Sequence, residues 1–86
     1  MTMLNQDLAT FIEKQLIGDG RTKVGETTAL IEDGIVDSMG LMQIVTFIED
    51  RTGLRISDDD VTPDNFETVA AIGELVKRLE SRRAGR

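Results

Sequence analysis

Leu4, Leu8, Phe11, Ile12 and Leu16 recur at i, i+4, i+7, i+8 and i+12, which sets them in one stripe along a first helix. Gly18-Asp19-Gly20 ends it, since glycine just past a helix takes the left-handed conformation cheaply. Thr2 or Asn5 can cap its start. A second segment, Leu41, Met42, Ile44, Val45, Phe47 and Ile48, is apolar around most of a helical circumference, the pattern of a helix buried on more than one side. It is predicted to run from Ser38 to about Thr52 and stop at Gly53, with Leu41, Ile44, Val45 and Ile48 facing the core. A last helix carries Val69, Ile72, Val76 and Leu79 as its stripe, with Leu75 flanking and Thr68 as cap.

Between the first two helices lies a connection, residues 18–36, that is long for a compact domain. Gly20, Arg21, Thr22, Lys23 and Gly25 read as solvated. Leu30, Ile31, Ile35 and Val36 are expected to pin the second half to the bundle, through a short turn near Thr28–Glu32. After Gly53, Leu54 and Ile56 should rejoin the core. Ser57 to Val61 reads as a cap and a short acidic helix or turn, and Thr62-Pro63-Asp64-Asn65-Phe66 as turn chemistry with Phe66 as an apolar peg. The predicted fold class is all-α: a small four-helix bundle of three main helices and a short third one, with a long loop between helices I and II. Residues 1–80 form the domain, and residues 81–86 are expected as a basic, disordered tail.

Composition narrows what such a bundle can do. The chain has 86 residues, no cysteine and no histidine, so a disulfide framework, a Ser-His-Asp triad and a zinc-hydrolase centre cannot be assembled from it. The formal net charge of −6 is uneven. Met1–Val36 carries −3, Asp37–Glu67 carries −6 and Thr68–Arg86 carries +3. An acidic middle repels nucleic-acid phosphate and anionic lipid, argues against a helix-turn-helix DNA binder, and favours partners with basic patches. No membrane span or signal-peptide layout is apparent, and a cytoplasmic monomer is expected. Asp58 and Asp60 have the first spacing of a calcium loop, but Pro63 stands where its glycine is needed and no glutamate closes it. No metal site is expected.

The chemistry concentrates at Asp33-Gly34-Ile35-Val36-Asp37-Ser38-Met39-Gly40. Asp37 and Ser38 are both helix-starting residues, because a short side-chain oxygen can take an orphan N–H of the first turn. A hydroxyl flanked by a carboxylate thus stands at the mouth of the most apolar helix. Nothing in the chain activates Ser38 as a nucleophile, so it reads as a substrate for modification and the chain as no enzyme. On a different face of the helix, Met39, Met42 and Thr46 fall at i, i+3 and i+7, with Glu49 and Asp50 one turn below. Methionines suit surfaces that repack against several partners, although at this spacing they also serve as core. Gly40 leaves a space near Ser38 through which an arm or an enzyme can approach.

Asp37-Ser38-Met39, with Gly34-Ile35-Val36 before it and the apolar helix behind, resembles the signature of the acyl carrier and peptidyl carrier proteins. The likeness extends from about Leu4 to Leu79 and includes Thr62-Pro63-Asp64-Asn65-Phe66. Gly40 and Gln43 stand where fatty-acid carriers tend to have acids, so the run is most similar to D-alanyl and other aminoacyl carriers. The resemblance implies an acyl carrier with a 4′-phosphopantetheine arm, taken from coenzyme A, on Ser38, and Asp37 beside it as a recognition residue. It implies a thioester cargo and three kinds of partner: a phosphopantetheinyl transferase, an adenylating acyl or aminoacyl ligase, and a downstream acyltransferase or synthase. Met39, Gly40, Met42, Gln43, Thr46, Glu49 and Asp50 are then the expected partner-binding residues. The rival reading is a helical protein-interaction module without a prosthetic group.

Overall fold

The computed structural model describes residues 3–84. The described residues contain no strand, and the elements follow one another as α1 (Met3–Phe11), α2 (Ser38–Thr52), α3 (Pro63–Phe66) and α4 (Val69–Ala84). A π-helical segment, Ile12–Ile17, continues α1, and a 3-10 turn, Asp58–Asp60, precedes α3. Leu8, Ile12, Ile44, Ile48, Val69, Ile72 and Leu75 are fully buried, which makes one core of the predicted stripes. Leu4, Phe11, Leu16 and Leu41 are half-buried at its margin. Helix α2 has the expected bounds, from Ser38 to a stop at Gly53. Gly53 has φ 72° and donates its N–H to the Glu49 carbonyl, the left-handed cap that glycine adopts without strain.

The first helix departs from expectation at both ends. Of its two proposed caps, Thr2 lies outside the described residues and Asn5 is buried inside the helix. The Asn5 amide occupies the space that a side chain on Gly73 would fill: a Cβ there would come within 2.6 Å of Asn5 Oδ1, so α1 and α4 pack closely only because Gly73 has none. At the other end, Gly18 donates its N–H to the Glu13 carbonyl, an i→i+5 bond, and closes a wide turn with φ 70°. Glu13 also accepts the Val24 N–H at 2.7 Å, and Val24 is buried in a stretch that reads as solvated.

The long connection is stitched to the far end of the chain. Leu30 donates its N–H to the Glu67 carbonyl at 2.9 Å, and Ala70 donates to the Glu26 carbonyl at 3.0 Å. Leu30 and Val36 are buried, and the turn closes through Asp33 N–H to the Ala29 carbonyl. At its outer tip, Asp19 accepts from the Thr22 hydroxyl and from the Thr22 and Arg21 amides. These bonds, the hydroxyl's first, hold its carboxyl down to about 2. After α2, Leu54 and Ile56 are buried as expected. The predicted short helix at 57–61 is a 3-10 turn, and the true α3 lies in the following segment. Pro63 opens it, the Thr62 hydroxyl accepts from Asn65 N–H, and Phe66 is fully buried.

Thr68 caps α4 through Ala71 N–H at 3.0 Å. The expected basic tail is corrected at its start: residues 81–84 continue α4, where Arg82 and Arg83 sit in the last turn. Cations there complement the negative end of the helix dipole, which is a reason for the helix to extend. Residues 85 and 86 lie outside the described residues.

Candidate functional site

Asp37 and Ser38 have different tasks at the head of α2. Asp37 is the N-cap, with extended backbone (φ −97°, ψ −172°), and its Oδ1 accepts the Gly40 N–H at 2.8 Å. Its carbonyl accepts the Leu41 N–H at 2.8 Å, the first bond of the helix. Ser38 is therefore the first helical residue and not the cap. It is exposed, and among the described residues its hydroxyl has no hydrogen-bond partner. The N–H groups of Ser38 and Met39 likewise have no acceptor among the described residues, and the first turn contains no acidic side chain.

That donor set suits a phosphodiester. Two free amide N–H groups and the positive end of a 15-residue helix stabilise an anion at this place. Ser38 is the one nearby hydroxyl positioned to carry such a group, and the capping carboxylate of Asp37 is turned onto the Gly40 amide.

The residues expected on the partner face divide. Met39, Met42, Gln43, Thr46 and Asp50 line one groove of about 490 Å³ between α1 and α2. Met39 is 73% and Met42 54% exposed, so both lie outside the core. Gly40 is corrected: it is buried, pointing inward. The space its missing side chain leaves is bounded by Asp37 Oδ1, Val36 and Leu16, within 3.3–3.5 Å of where a Cβ would stand. Glu49 is half-buried, and its Oε2 accepts the Ile56 N–H at 2.8 Å, which commits it to holding the segment after α2.

Three groove residues escape the sequence pattern: Phe11, Gln15 and Phe47. The Phe11 and Phe47 rings stack, with centroids 4.6 Å apart, and the Arg51 guanidinium lies 5.6 Å from the Phe47 centroid while pairing with Asp7. Residues 11 and 47 are far apart in the chain, so only the packing of α1 on α2 brings them together. Phe47 lies one turn beyond Gln43, a spacing that already allows it to border the methionine face.

No family model matches the chain. Over 79 residues it is 30% identical to a probable acyl carrier protein, PigG, of Serratia sp., covering 92% of this chain and 91% of that protein. It is 27% identical over 79 residues to an acyl carrier protein of Chlamydia caviae, covering 92% and 95%. Among solved structures, a chain in a crystal structure described as that of an FAD-dependent dehydrogenase matches with a TM-score of 0.75 at 28% identity, covering 81% of this chain and 99% of that one. The chain belongs to the acyl carrier protein family.

Proposed function

We propose that Ser38 is the attachment point of a 4′-phosphopantetheine arm and that the chain ferries an acyl or aminoacyl group as a thioester. The observation that carries this reading is the exposed Ser38 hydroxyl, without an intramolecular partner among the described residues, on a helix turn with two amide donors to spare. When attached, the group supplies a thiol, which the cysteine-free chain lacks.

Attachment forms a bond from Ser38 Oγ to phosphorus and breaks the pyrophosphate of coenzyme A, releasing adenosine 3′,5′-bisphosphate. The hydroxyl proton leaves to a base on the transferase, since this chain has no histidine to take it. Asp37 holds the helix start in shape while this happens, and the Ser38 and Met39 amides receive the new phosphodiester. A cytoplasmic setting supplies the coenzyme A.

A transferase, an adenylating ligase and a downstream acyltransferase or synthase then dock in turn. Met39, Met42, Gln43, Thr46 and Asp50 offer them one shared surface. The likeness to a chain from an FAD-dependent dehydrogenase structure favours a flavin-dependent enzyme among the downstream partners. A monomer suits this role, because each partner must be met and released by the same exposed face.

The test is direct. Incubation with coenzyme A, magnesium and a broad-specificity phosphopantetheinyl transferase should add one phosphopantetheinyl mass, and Ser38→Ala should add none while keeping its helicity. Wild-type chain that gains no mass returns the protein to the rival reading, an interaction module without a prosthetic group. Gain by Ser38→Ala moves the site elsewhere.

A further inference from the structure

The apolar space beside the head of α2 is on the outside of the bundle. One groove between α1 and α2 has Phe11, Phe47, Met39 and Met42 as its apolar walls. A second hollow of about 370 Å³ reaches Gly34, Ile35 and Asp37, next to Ser38. The two share Gln15, Met39 and Gln43, so they form one trough that starts beside the Ser38 turn and runs down α2 to the level of Phe47 and Asp50.

The trough changes character along its length. Its middle has two side-chain amides, Gln15 and Gln43, each offering donors and an acceptor. Its far end is the stacked Phe11–Phe47 pair, steadied by Arg51, with the methionines above it. Gln15 lies in the π-helical segment, whose wide turn lays it along the trough, and Gly40 lets Leu16 close in beneath. The charged group lining the far groove is Asp50.

We propose that this trough is the resting place of the tethered cargo between dockings, and that it selects a small apolar or aromatic acyl group over a dicarboxylic one. The proposal rests on Ser38 as the attachment site. Three observations name the occupant. The trough begins at the tether point. Its polar-then-apolar order matches that of a loaded arm, whose amides precede its acyl end. Its far end lies nine residues along α2 from Ser38, about 14 Å at 1.5 Å per residue, which is within the span of an extended phosphopantetheine arm. A seated apolar group covers the exposed methionines, whereas a second carboxylate is brought against Asp50 in a low-dielectric groove. A docking enzyme then takes over the methionine face and frees the cargo.

The experiment loads the full chain in one step from benzoyl-CoA, malonyl-CoA or coenzyme A itself, confirms each product by mass, and compares NMR shifts. The benzoyl form should move the Met39 and Met42 methyls, the Phe11 and Phe47 rings and the Gln15 and Gln43 side-chain amides relative to the unacylated arm. The malonyl form should leave them at the unacylated positions. Met42→Glu, purified in its benzoyl form, should lose the movement at Phe11 and Phe47. Benzoyl shifts confined to residues 37–40, shifts on the core methyls of Ile44, Ile48 and Leu75, or equal shifts from malonyl would each overturn the proposal. A chain that never gains mass fails the attachment reading instead, and this one with it.

Discussion

Gly40 shows how one missing side chain can serve packing in place of access. A Cβ there would stand 3.3 Å from the capping Asp37 oxygen, 3.4 Å from Val36 and 3.5 Å from Leu16. Anything larger than alanine must displace the cap and the end of α1 together. Gly40→Leu should therefore destabilise the fold by about 1–3 kcal/mol, the usual cost of forcing extra methylenes into filled space, read as a lower urea midpoint. A variant as stable as the parent would mean that the site has room. Helix propensity alone points the other way, since leucine outranks glycine in a helix by close to ~1 kcal/mol. Asp37 as a helix starter was legible because capping depends on local backbone geometry. The inward turn of Gly40 and the binding of Ile56 by Glu49 were not, because each depends on what the rest of the chain brings alongside.

At the scale of elements, the three main helices follow from apolar periodicity, and two short features do not. The π-helical segment Ile12–Ile17 keeps the same apolar residues inward that an α-helix does. Six residues are too few for the two periods to diverge in sequence, so the wide turn depends on Glu13 reaching Val24 and Leu16 reaching Gly40. Helix α3 is four residues long and cannot stand alone. It persists because Phe66 is buried at 1% exposure, and because Asn65 donates to the Asp60 carbonyl and accepts from Arg78. Phe66→Ala should cost about 3–5 kcal/mol, a large share of the ~5–15 kcal/mol that holds a domain folded. Thermal melts should show it, and an unchanged midpoint would remove Phe66 from the core.

The whole molecule adds the field of its charges. With −6 between Asp37 and Glu67, the half that holds the site is the half that attracts basic partners. Raising ionic strength from about 0.01 M to about 1 M shortens the screening length from ~30 Å to ~3 Å. The rate of phosphopantetheinylation at limiting protein should fall over that range, through slower encounter. A rate indifferent to salt would leave contact shape, and not charge, as the basis of docking.

The sequence by itself determined the helices, the long connection and the reading of Ser38, since periodicity, capping and residue type are local properties. Which side chains meet across the bundle was decided only in three dimensions. The Phe11–Phe47 stack, the trough beside Ser38, the burial of Gly40 and the stitching of Leu30 to Glu67 all join residues distant in the chain. A one-dimensional pattern records which way a helix faces, and packing alone decides what it faces.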